Sequence, residues 1–250
     1  MVSFLGSFIG SSCVLCGSHV QREISLCHAC EADLPRIEHA CQQCGIPLEA
    51  SSLICGQCLK SPPAFDYSLS LYHYETPIDY LISELKFNKK LAYAEILGFL
   101  LKTKLSLHQE NDRPDAIIPV PLHTKRLVKR GFNQSHEIAK VVAKSNNIPI
   151  DYRLITRHKA TRAQSELDVV QRKKNIKGCF QLNHHKNPKE MMPAYSHVVI
   201  IDDVVTTGAT SNELATILKQ SGIKKVGVWS LARAILHGSP APIPSTIDKA

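Results

Sequence analysis

Val198-Val199-Ile200-Ile201-Asp202-Asp203-Val204-Val205-Thr206-Thr207-Gly208-Ala209-Thr210 is the stretch that decides the fold. Its first four residues are apolar and predict a strand buried on both faces, as in a parallel sheet. Two acids then end the apolar run, and a turn of small and hydroxyl residues leads into a helical pattern. In that pattern Leu214, Ile217 and Leu218 share one face. The stretch therefore predicts a strand, a polar turn and an amphipathic helix in succession.

The predicted helix has recognisable ends. Thr210 and Glu213 have the spacing of a capping box, and Gly222 is placed to end the helix. A second apolar run, from Val226 to Leu231, follows. Strand, turn, helix and strand make a βαβ unit, and sheets of this kind bind ligands beyond the carboxyl ends of their strands. The turn after Asp203 is therefore the predicted binding site.

The composition of this turn suits a phosphorylated sugar. Backbone amides and threonine hydroxyls at a helix N-terminus bind phosphate, which the helix dipole also favours. Gly208 and Ala209 lack bulk, so the backbone can approach an anion closely. Asp202 and Asp203 would repel a phosphate but can accept hydrogen bonds from two ribose hydroxyls. This order predicts a ribose 5-phosphate site; the alternative is an acidic strand end before an ordinary polar turn. A P-loop is not expected, because the turn has no lysine and no G-x-x-x-x-G-K motif.

Cysteine pairs dominate the first quarter of the chain. Eight of the nine cysteines lie within residues 13–58, in four C-x-x-C pairs, and Cys41 follows Cys13 by 28 residues, as Cys55 follows Cys27. Each repeat begins C-x-x-C-G, where the glycine helps the backbone turn toward a metal. Four thiolates at tetrahedral reach make a structural zinc site with no position left for a catalytic water. The predicted zinc ligands are Cys13, Cys16, Cys27, Cys30, Cys41, Cys44, Cys55 and Cys58.

The cysteine pattern leaves the number of zinc ions open between one and two. Pairing within each repeat is simplest, whereas interleaved pairing or the loss of one site is the alternative. A disulfide framework would need an oxidising compartment. The apolar start, residues 1–12, is short and has no basic residue before it, so we expect neither an export signal nor a membrane span. We expect the metal to supply much of the folding energy of so small a module.

The net charge of +8 is concentrated in the middle of the chain. Residues 120–177 contain 14 Lys and Arg against 4 Asp and Glu, an excess of ten positive charges. Such a field suits a polyanion, either a pyrophosphate or a nucleic-acid backbone. A predicted strand at 116–121 runs into the basic loop 122–134. Arg126 and Arg130 would both reach one phosphate cluster if this loop contains a helical turn, and a solvated basic face is the alternative.

Between the cysteines and the basic loop lies a segment with few chemical signals. Residues 60–63, Lys-Ser-Pro-Pro, predict a junction between modules. Residues 67–74 alternate as a strand does, and helical patterns follow over 78–88 and about 91–105. Most of these side chains are expected to pack in the core. Lys86 is the one that we expect to point toward the ligand.

Together these features resemble the ComF/GntX family of competence- and DNA-utilisation-associated proteins. Four ordered motifs carry the resemblance, which spans about residues 13–233: the cysteine pairs, P-V-P-L-H-x-x-R-L-x-x-R-G-F-N-Q at 119–134, the segment 154–180, and the acid–threonine turn. The resemblance implies an α/β fold: a type I phosphoribosyltransferase-like parallel sheet flanked by helices, preceded by a small four-cysteine zinc-ribbon module. It divides the chain into a double zinc-ribbon module (1–60), a helical hood segment (61–110), a phosphoribosyltransferase-like core (111–236) and a flexible tail (237–250).

The resemblance also implies a ligand, phosphoribosyl pyrophosphate (PRPP), together with Mg²⁺. In type I phosphoribosyltransferases the paired acids hold the ribose 2′- and 3′-hydroxyls, and the turn binds the 5′-phosphate. The PRPP-binding residues carried over are Asp202, Asp203, Val205, Thr206, Thr207, Gly208, Ala209 and Thr210. Those for the pyrophosphate are Lys86, Arg126 and Arg130. A mobile loop that closes over the pyrophosphate would carry Arg157, Thr161, Gln164 and Arg172.

The function implied by the resemblance is pentosyl transfer from PRPP in the bacterial cytoplasm, in a protein that helps to import or use external DNA. No general base and no nucleobase pocket is evident, so the catalytic residues and the acceptor stay open. One alternative is a non-catalytic protein that binds PRPP, a nucleotide or single-stranded DNA, with competence-machinery proteins as partners. A structural zinc adaptor without a ligand is a third interpretation.

Overall fold

The computed structural model describes residues 11–49, 52–105, 113–160, 171, 175–183 and 195–235. The described strands are β1 (Ser11–Ser12), β2 (His19–Val20), β3 (Tyr67–His73), β4 (Ala116–Pro119), β5 (Ile155–Arg157), β6 (Phe180–Leu182), β7 (His197–Val205) and β8 (Lys225–Arg233). The described helices are α1 (His28–Ala32), α2 (Gly56–Lys60), α3 (Ile78–Asn88), α4 (Ala92–Leu105), α5 (Thr124–Arg130), α6 (Gln134–Asn146) and α7 (Ala209–Gln220).

The central sheet has four parallel strands in the order β3-β8-β7-β4. In its register Ile201 of β7 lies opposite Trp229 of β8 and opposite Pro119 of β4. The chain passes from β7 through α7 to the neighbouring β8, which is the predicted βαβ unit. The predicted α/β class is therefore confirmed, with helices flanking a parallel sheet and a four-cysteine module ahead of it.

Two apolar layers explain why β7 begins as an uninterrupted hydrophobic run. Ile200 points to one face of the sheet and packs with Leu214 of α7. Ile201 points to the opposite face, in a cluster with Leu97 of α4 and Ile138 of α6. Because both faces are covered, neither set of alternate side chains meets water. After His197 at its start, the next polar residues of the strand are Asp202 and Asp203 near its carboxyl end.

The cysteine-rich module is hydrogen-bonded to the edge of this sheet. The Ile37 amide donates to the Leu71 carbonyl at 2.9 Å, and the His73 amide donates to the Pro35 carbonyl at 2.9 Å. The chain around Arg36 thus runs antiparallel beside β3. An unpaired strand edge invites association with other chains, and this segment covers it.

The start of α7 differs from the prediction. Gly208, with φ +74°, is the N-cap and the helix begins at Ala209, so the predicted capping box of Thr210 and Glu213 is wrong. Glu213 lies five residues beyond the N-cap, too far along the helix to reach the cap amide. Its Oε1 accepts instead from the Gly178 amide at 2.6 Å. Within the described residues, no helix has both the length and the apolar character needed to cross a membrane.

Candidate functional site

The eight cysteines of the repeats form two separate groups. Within each group the four sulfur atoms lie within 4.8 Å of one another, and the groups are Cys13, Cys16, Cys27 and Cys30, then Cys41, Cys44, Cys55 and Cys58. The simplest pairing, within each repeat, is confirmed. The Cys16–Cys27 and Cys44–Cys55 sulfur separations are both 3.7 Å. Tetrahedral zinc with Zn–S bonds of about 2.3 Å separates its sulfurs by about 3.8 Å, so both groups fit structural zinc.

Local backbone geometry explains the shared motif of the two ribbons. Gly17 has φ +77° and Gly45 has φ +68°, a region that side chains other than glycine rarely enter. Each glycine follows the first cysteine pair of its repeat and turns the chain back over the sulfurs. The Cys27 amide then donates to the Cys13 sulfur at 3.5 Å, as amide groups around a thiolate do.

The acid pair lies at the carboxyl end of β7 and is held by two other elements. Asp203 is 2% exposed; it forms an ion pair with Lys86 at the end of α3 and accepts from Gln134 Nε2 at 3.1 Å. Asp202 is partly exposed, and its Oδ1 accepts from Ser135 Oγ at 3.2 Å and from the Asp203 amide at 2.9 Å. Gln134 and Ser135 form the first turn of α6, whose dipole also favours the nearby carboxylates.

The two carboxylates differ in charge preference. Burial raises the pKa of Asp202, and the neighbouring Asp203 carboxylate raises it further. Burial also acts to raise the pKa of Asp203, but the Lys86 ammonium outweighs it and the pKa lies below its usual range. Asp203 is therefore ionised and paired, whereas Asp202 is the acid that is open to a ligand.

The turn after the acids has the shape expected of an anion cradle. The Ala209 amide donates to Thr207 Oγ1 at 3.3 Å, and the turn leads directly into the N-terminus of α7, where the helix dipole favours an anion. A shallow depression here is lined by Asp202, Val204, Val205, Thr206, Gly208, Ala209, Thr210 and Ser211. Six of the eight residues predicted to bind PRPP line it; of the other two, Asp203 lies beneath and Thr207 supports the Ala209 amide. The structure thus brings the predicted turn residues and the partly exposed Asp202 together.

Part of the basic loop is helical, which is the condition under which Arg126 and Arg130 were predicted to reach one phosphate cluster. Helix α5 carries Arg126 and Arg130 one turn apart, and Arg130 is hydrogen-bonded to Gln134, the residue that holds Asp203. Burial lowers the pKa of Arg130, while Asp203 is close enough to act against that effect. The loop and the acid pair therefore adjoin one another. Lys86, predicted to bind pyrophosphate, forms an ion pair with Asp203 in this structure.

Arg157 was predicted in a mobile loop, and the structure places it at the end of a strand. It is the last residue of β5, pairs with Phe180 of β6, and is 7% exposed. Its guanidinium stacks over the Phe180 ring at 5.4 Å, and it lies near enough to Arg126 and Asp202 to interact electrostatically. The neighbouring apolar residues Leu154 and Ile155 are buried and draw the segment into the core. The other predicted loop residues, Thr161, Gln164 and Arg172, lie outside the described residues.

Three residues of the site were not predicted from the sequence: Gln134, Ser135 and Arg233. Gln134 stands at the end of the motif 119–134, which was the available signal. Arg233 ends β8 opposite Val205, and its Nη1 donates to the Val205 carbonyl at 3.1 Å and contacts the Thr206 carbonyl. Only the register of β7 against β8 identifies Arg233, because the two residues are far apart in sequence.

These features define an α/β protein in which two four-cysteine ribbons join a parallel sheet that ends in an acid pair and a helix-capping turn. A family model for the double zinc ribbon domain matches residues 4–59. The chain is 35% identical over 213 residues to the DNA utilization protein YhgH of Salmonella typhimurium, covering 84% of this chain and 91% of that protein. It is 32% identical over 234 residues to competence protein F of Haemophilus influenzae, covering 91% and 99%.

The chain belongs to the family of these competence and DNA-utilisation proteins, which confirms the resemblance drawn from its motifs. Solved structures with some likeness include orotate phosphoribosyltransferase from Aeropyrum pernix, at TM-score 0.31 and 19% identity over 60% of this chain and 62% of that one. Adenine phosphoribosyltransferase from Leishmania tarentolae has TM-score 0.35 and 12% identity over 68% and 93%. Scores of this size indicate neither activity nor substrate.

Proposed function

We propose that this protein binds PRPP at the turn between β7 and α7 and transfers its phosphoribosyl group during the use of incoming DNA. One observation carries the proposal: an acid pair and a small-residue helix N-terminus follow the same parallel strand, with a cationic helix beside them. An acid pair suits uncharged hydroxyls, a helix N-terminus suits a phosphate monoester, and arginines suit a diphosphate. PRPP carries these three groups in this order.

The ribose and its phosphate have separate partners in this proposal. The 5′-phosphate accepts from the amides between Thr206 and Thr210, where Gly208 lets the backbone approach. The 2′- and 3′-hydroxyls donate to Asp202, whose ionised form they stabilise in place of water. Asp203 stays beneath, paired with Lys86, and keeps the strand end from carrying two uncompensated charges.

The pyrophosphate lies toward α5 in this proposal. Arg126 and Arg130 are one helical turn apart, so both guanidinium groups reach one diphosphate. Asp202 would be the side chain nearest to Mg²⁺, a hard cation that prefers oxygen ligands. When bound, the ion would supply positive charge to the site.

The reaction breaks the bond between the anomeric carbon and the pyrophosphate oxygen and forms a bond from that carbon to the acceptor. Pyrophosphate leaves with the bonding electron pair, and the acceptor loses its proton to solvent. The contribution of Arg126 and Arg130 is to hold the charge that develops on the leaving group. The contribution of the turn and the acids is to keep the ribose oriented toward the acceptor.

The cellular setting comes from the relatives, which are named for competence and for DNA utilisation. We place this chain in the same setting, in the cytoplasm, where an acceptor derived from imported DNA or its breakdown would be available.

Calorimetric titration of the zinc-loaded chain with PRPP, with and without Mg²⁺, tests the proposal. We expect saturable binding of one PRPP, stronger with Mg²⁺, and weaker binding of ribose 5-phosphate. Pyrophosphate release is then measured against a panel of nucleobases and amines. An absence of PRPP binding would refute the proposed site. Binding without pyrophosphate release from any acceptor would instead favour a sensor of PRPP.

Exposed aromatic side chains favour a second candidate function, the binding of single-stranded DNA. Phe87 is 71% exposed and lies beneath the Arg130 guanidinium, 5.9 Å from its ring centre. Tyr152 is 54% exposed and lies beneath Arg153 at 5.3 Å. Aromatic faces beside cations are what sequence-tolerant single-strand binding uses for stacking and for backbone charge.

DNA binding and ligand binding separate in one experiment. An affinity for single-stranded DNA that falls steeply with salt, falls with Phe87→Ala, and survives neutralisation of Asp202 and Asp203 would establish a strand-binding face. The absence of measurable affinity at low salt would reject it. Exposed Leu91 (50%) offers a matched Leu91→Ala change that removes an apolar side chain without an aromatic face.

A further inference from the structure

Arg233 is a buried cation at the base of the turn. It is 5% exposed, lies at the end of β8, and its Nη1 is hydrogen-bonded to the carbonyls of Val205 and Thr206. These carbonyls belong to the residues where β7 ends and the turn begins. A guanidinium presents donors on more than one side, so it can hold this backbone and still bind another group.

The other group belongs to the second ribbon. Cys44, Cys55 and Cys58 lie close enough to Arg233 to act on its charge, and Cys44 acts most strongly. A buried cation needs a compensating anion, and within the described residues the hydrogen-bond acceptors of Arg233 are the neutral carbonyls of Val205 and Thr206. Four thiolates around one Zn²⁺ carry a net charge of −2, so the metal-loaded cluster is an anion of the required kind.

The second ribbon and its exit segment also touch the first turn of α7. The Ala64 amide donates to Asn212 Oδ1 at 2.7 Å. A Cβ added to Gly208 would stand 3.9 Å from the ring of Phe65, which is itself buried. The second ribbon therefore adjoins the turn through its sulfurs and through the chain that leaves it.

The first ribbon packs elsewhere. Its Cys13 and Leu26 belong to the apolar cluster on the opposite face of the sheet, with α3 and α4. Its own arginine, Arg22, donates to Leu26 and Glu31 inside the ribbon at 2.8 and 2.6 Å. The two ribbons share their cysteine geometry but not their neighbours.

We propose that Arg233 is a positioning residue through which the metal-loaded second cysteine cluster holds residues 205–208 in their ligand-binding shape. Loss of metal from Cys41, Cys44, Cys55 and Cys58 removes the anion that Arg233 faces. The guanidinium then leaves the carbonyls or draws water in, and the turn loosens. Loss of metal from the first ribbon has no such route to the turn. The effect on PRPP rests on the proposed function, whereas the effect on the turn does not.

Hydrogen exchange of the zinc-loaded full chain tests the coupling without any ligand. Cys44→Ser and Cys16→Ser are a matched pair, because the two cysteines occupy the same position of the repeat. We expect Cys44→Ser to accelerate exchange in peptides covering 204–212 at least fivefold, and Cys16→Ser to leave those peptides unchanged. Equal acceleration by both variants, or by neither, would overturn the proposal.

Arg233→Lys keeps the buried charge, but its single ammonium group cannot hold both carbonyls and face the cysteine cluster at once. It should retain both zinc ions, measured by displacement into a metallochromic chelator, and accelerate exchange at 204–212 as Cys44→Ser does. An Arg233→Lys protein that retains zinc and exchanges as wild type would refute the positioning role.

PRPP then provides the reciprocal measurement. Because coupling between two binding sites is mutual, PRPP should slow the release of one of the two zinc ions. This slowing of zinc release should persist in Cys16→Ser and disappear in Arg233→Lys. Arg233→Lys should also bind PRPP about tenfold more weakly than wild type. If wild type does not bind PRPP, the proposed function fails and the exchange measurements alone decide the coupling. If PRPP binds wild type and Arg233→Lys equally, the coupling fails and the proposed function stands.

Discussion

The sheet ends in two strand–turn–helix units that use opposite chemistry. After β7 the chain turns within three residues into α7, with small side chains, one left-handed glycine and an acid pair. After β4 it passes through a longer connection into the short basic helix α5 and only then into α6. The first unit offers shape and backbone amides, and the second offers charge. A ligand with both a phosphate monoester and a diphosphate needs the two together.

Contacts between the units show that neither is complete alone. Gln134 and Ser135, which begin the helix after the basic loop, donate to Asp203 and Asp202 of the acidic unit. Arg130 is in turn hydrogen-bonded to Gln134. The Gln134 side chain thus links Arg130 of the basic unit to Asp203 of the acidic unit by hydrogen bonds. We infer that the pairing of the units, more than either motif, makes the site.

Removing the acids should have the largest effect on ligand binding. We expect Asp202→Asn with Asp203→Asn to lower PRPP affinity at least about 100-fold, because two charge-assisted contacts at about 1.5–3 kcal/mol each are lost. Calorimetry measures the affinity. Asp115→Asn is the matched control: Asp115 accepts from the Ser196 and His197 amides at 2.7 and 2.9 Å at the opposite end of β7. Wild-type affinity in the double variant would show that the two acids do not contribute to PRPP binding.

The raised pKa of Asp202 predicts how stability changes with pH. A carboxyl group whose folded pKa is raised stabilises the fold while it holds its proton, and this contribution is lost as pH rises through the folded pKa. The free energy of unfolding of Asp202→Asn, measured in urea relative to wild type, should therefore rise by at most about 1.4 kcal/mol from pH 6 to pH 7. This pH range lies above the unfolded pKa of about 3.9.

Asp115 supplies the contrast for this pH dependence. Hydrogen bonds from the His197 and Ser196 amides lower the pKa of Asp115, so its stabilising contribution is constant above its unfolded pKa and is lost only in acid. The difference between Asp115→Asn and wild type should not change between pH 6 and 7. A constant difference for Asp202→Asn as well would show that Asp202 is ionised in the free protein.

Comparing PRPP with ribose 5-phosphate tests whether the basic unit binds the pyrophosphate. Arg126→Gln with Arg130→Gln should weaken PRPP binding about 30-fold, since two arginine contacts to a diphosphate disappear. Binding of ribose 5-phosphate, which lacks the diphosphate, should change less than twofold. Titration of both compounds against both proteins measures the effect. Equal weakening for the two compounds would mean that these arginines act on the turn or the acids rather than on a pyrophosphate.

Local pattern was sufficient to predict β7, its turn, α7 and the pairing of the cysteines, because each depends on residues close in sequence. The predicted helix start was wrong at Gly208 because a left-handed residue can cap a helix without a side-chain hydrogen bond. The sequence did not predict that Arg157 ends a strand, because a basic residue joins a buried strand only when a distant group, here the Phe180 ring, covers its guanidinium.

The remaining contacts depend on register between distant elements. Lys86 pairs with Asp203 only because α3 ends beside β7, and Arg233 holds Val205 only because β8 pairs with β7. The spacing of residues in the sequence predicts neither contact. The coverage of β3 by the segment around Arg36 is of the same kind, since hydrogen bonds to a strand edge leave no side-chain pattern.

The substitution Gly208→Ala should have the smallest effect on PRPP binding. It changes the shape of the turn without changing any charge. Alanine at φ +74° costs about 1 kcal/mol of stability, and its methyl group would stand in ordinary contact with Phe65, so the fold should persist. Gly222→Ala is the matched control, because it lies just beyond the other end of α7 with φ +99° and open space around it. Both variants should lose similar unfolding free energy in urea, whereas only Gly208→Ala should weaken PRPP binding, about fivefold, because its methyl group obstructs the approach of the phosphate to the backbone. Equal affinities in the two variants would mean that charge alone, supplied by the acids and by α5, accounts for binding at this end of the sheet.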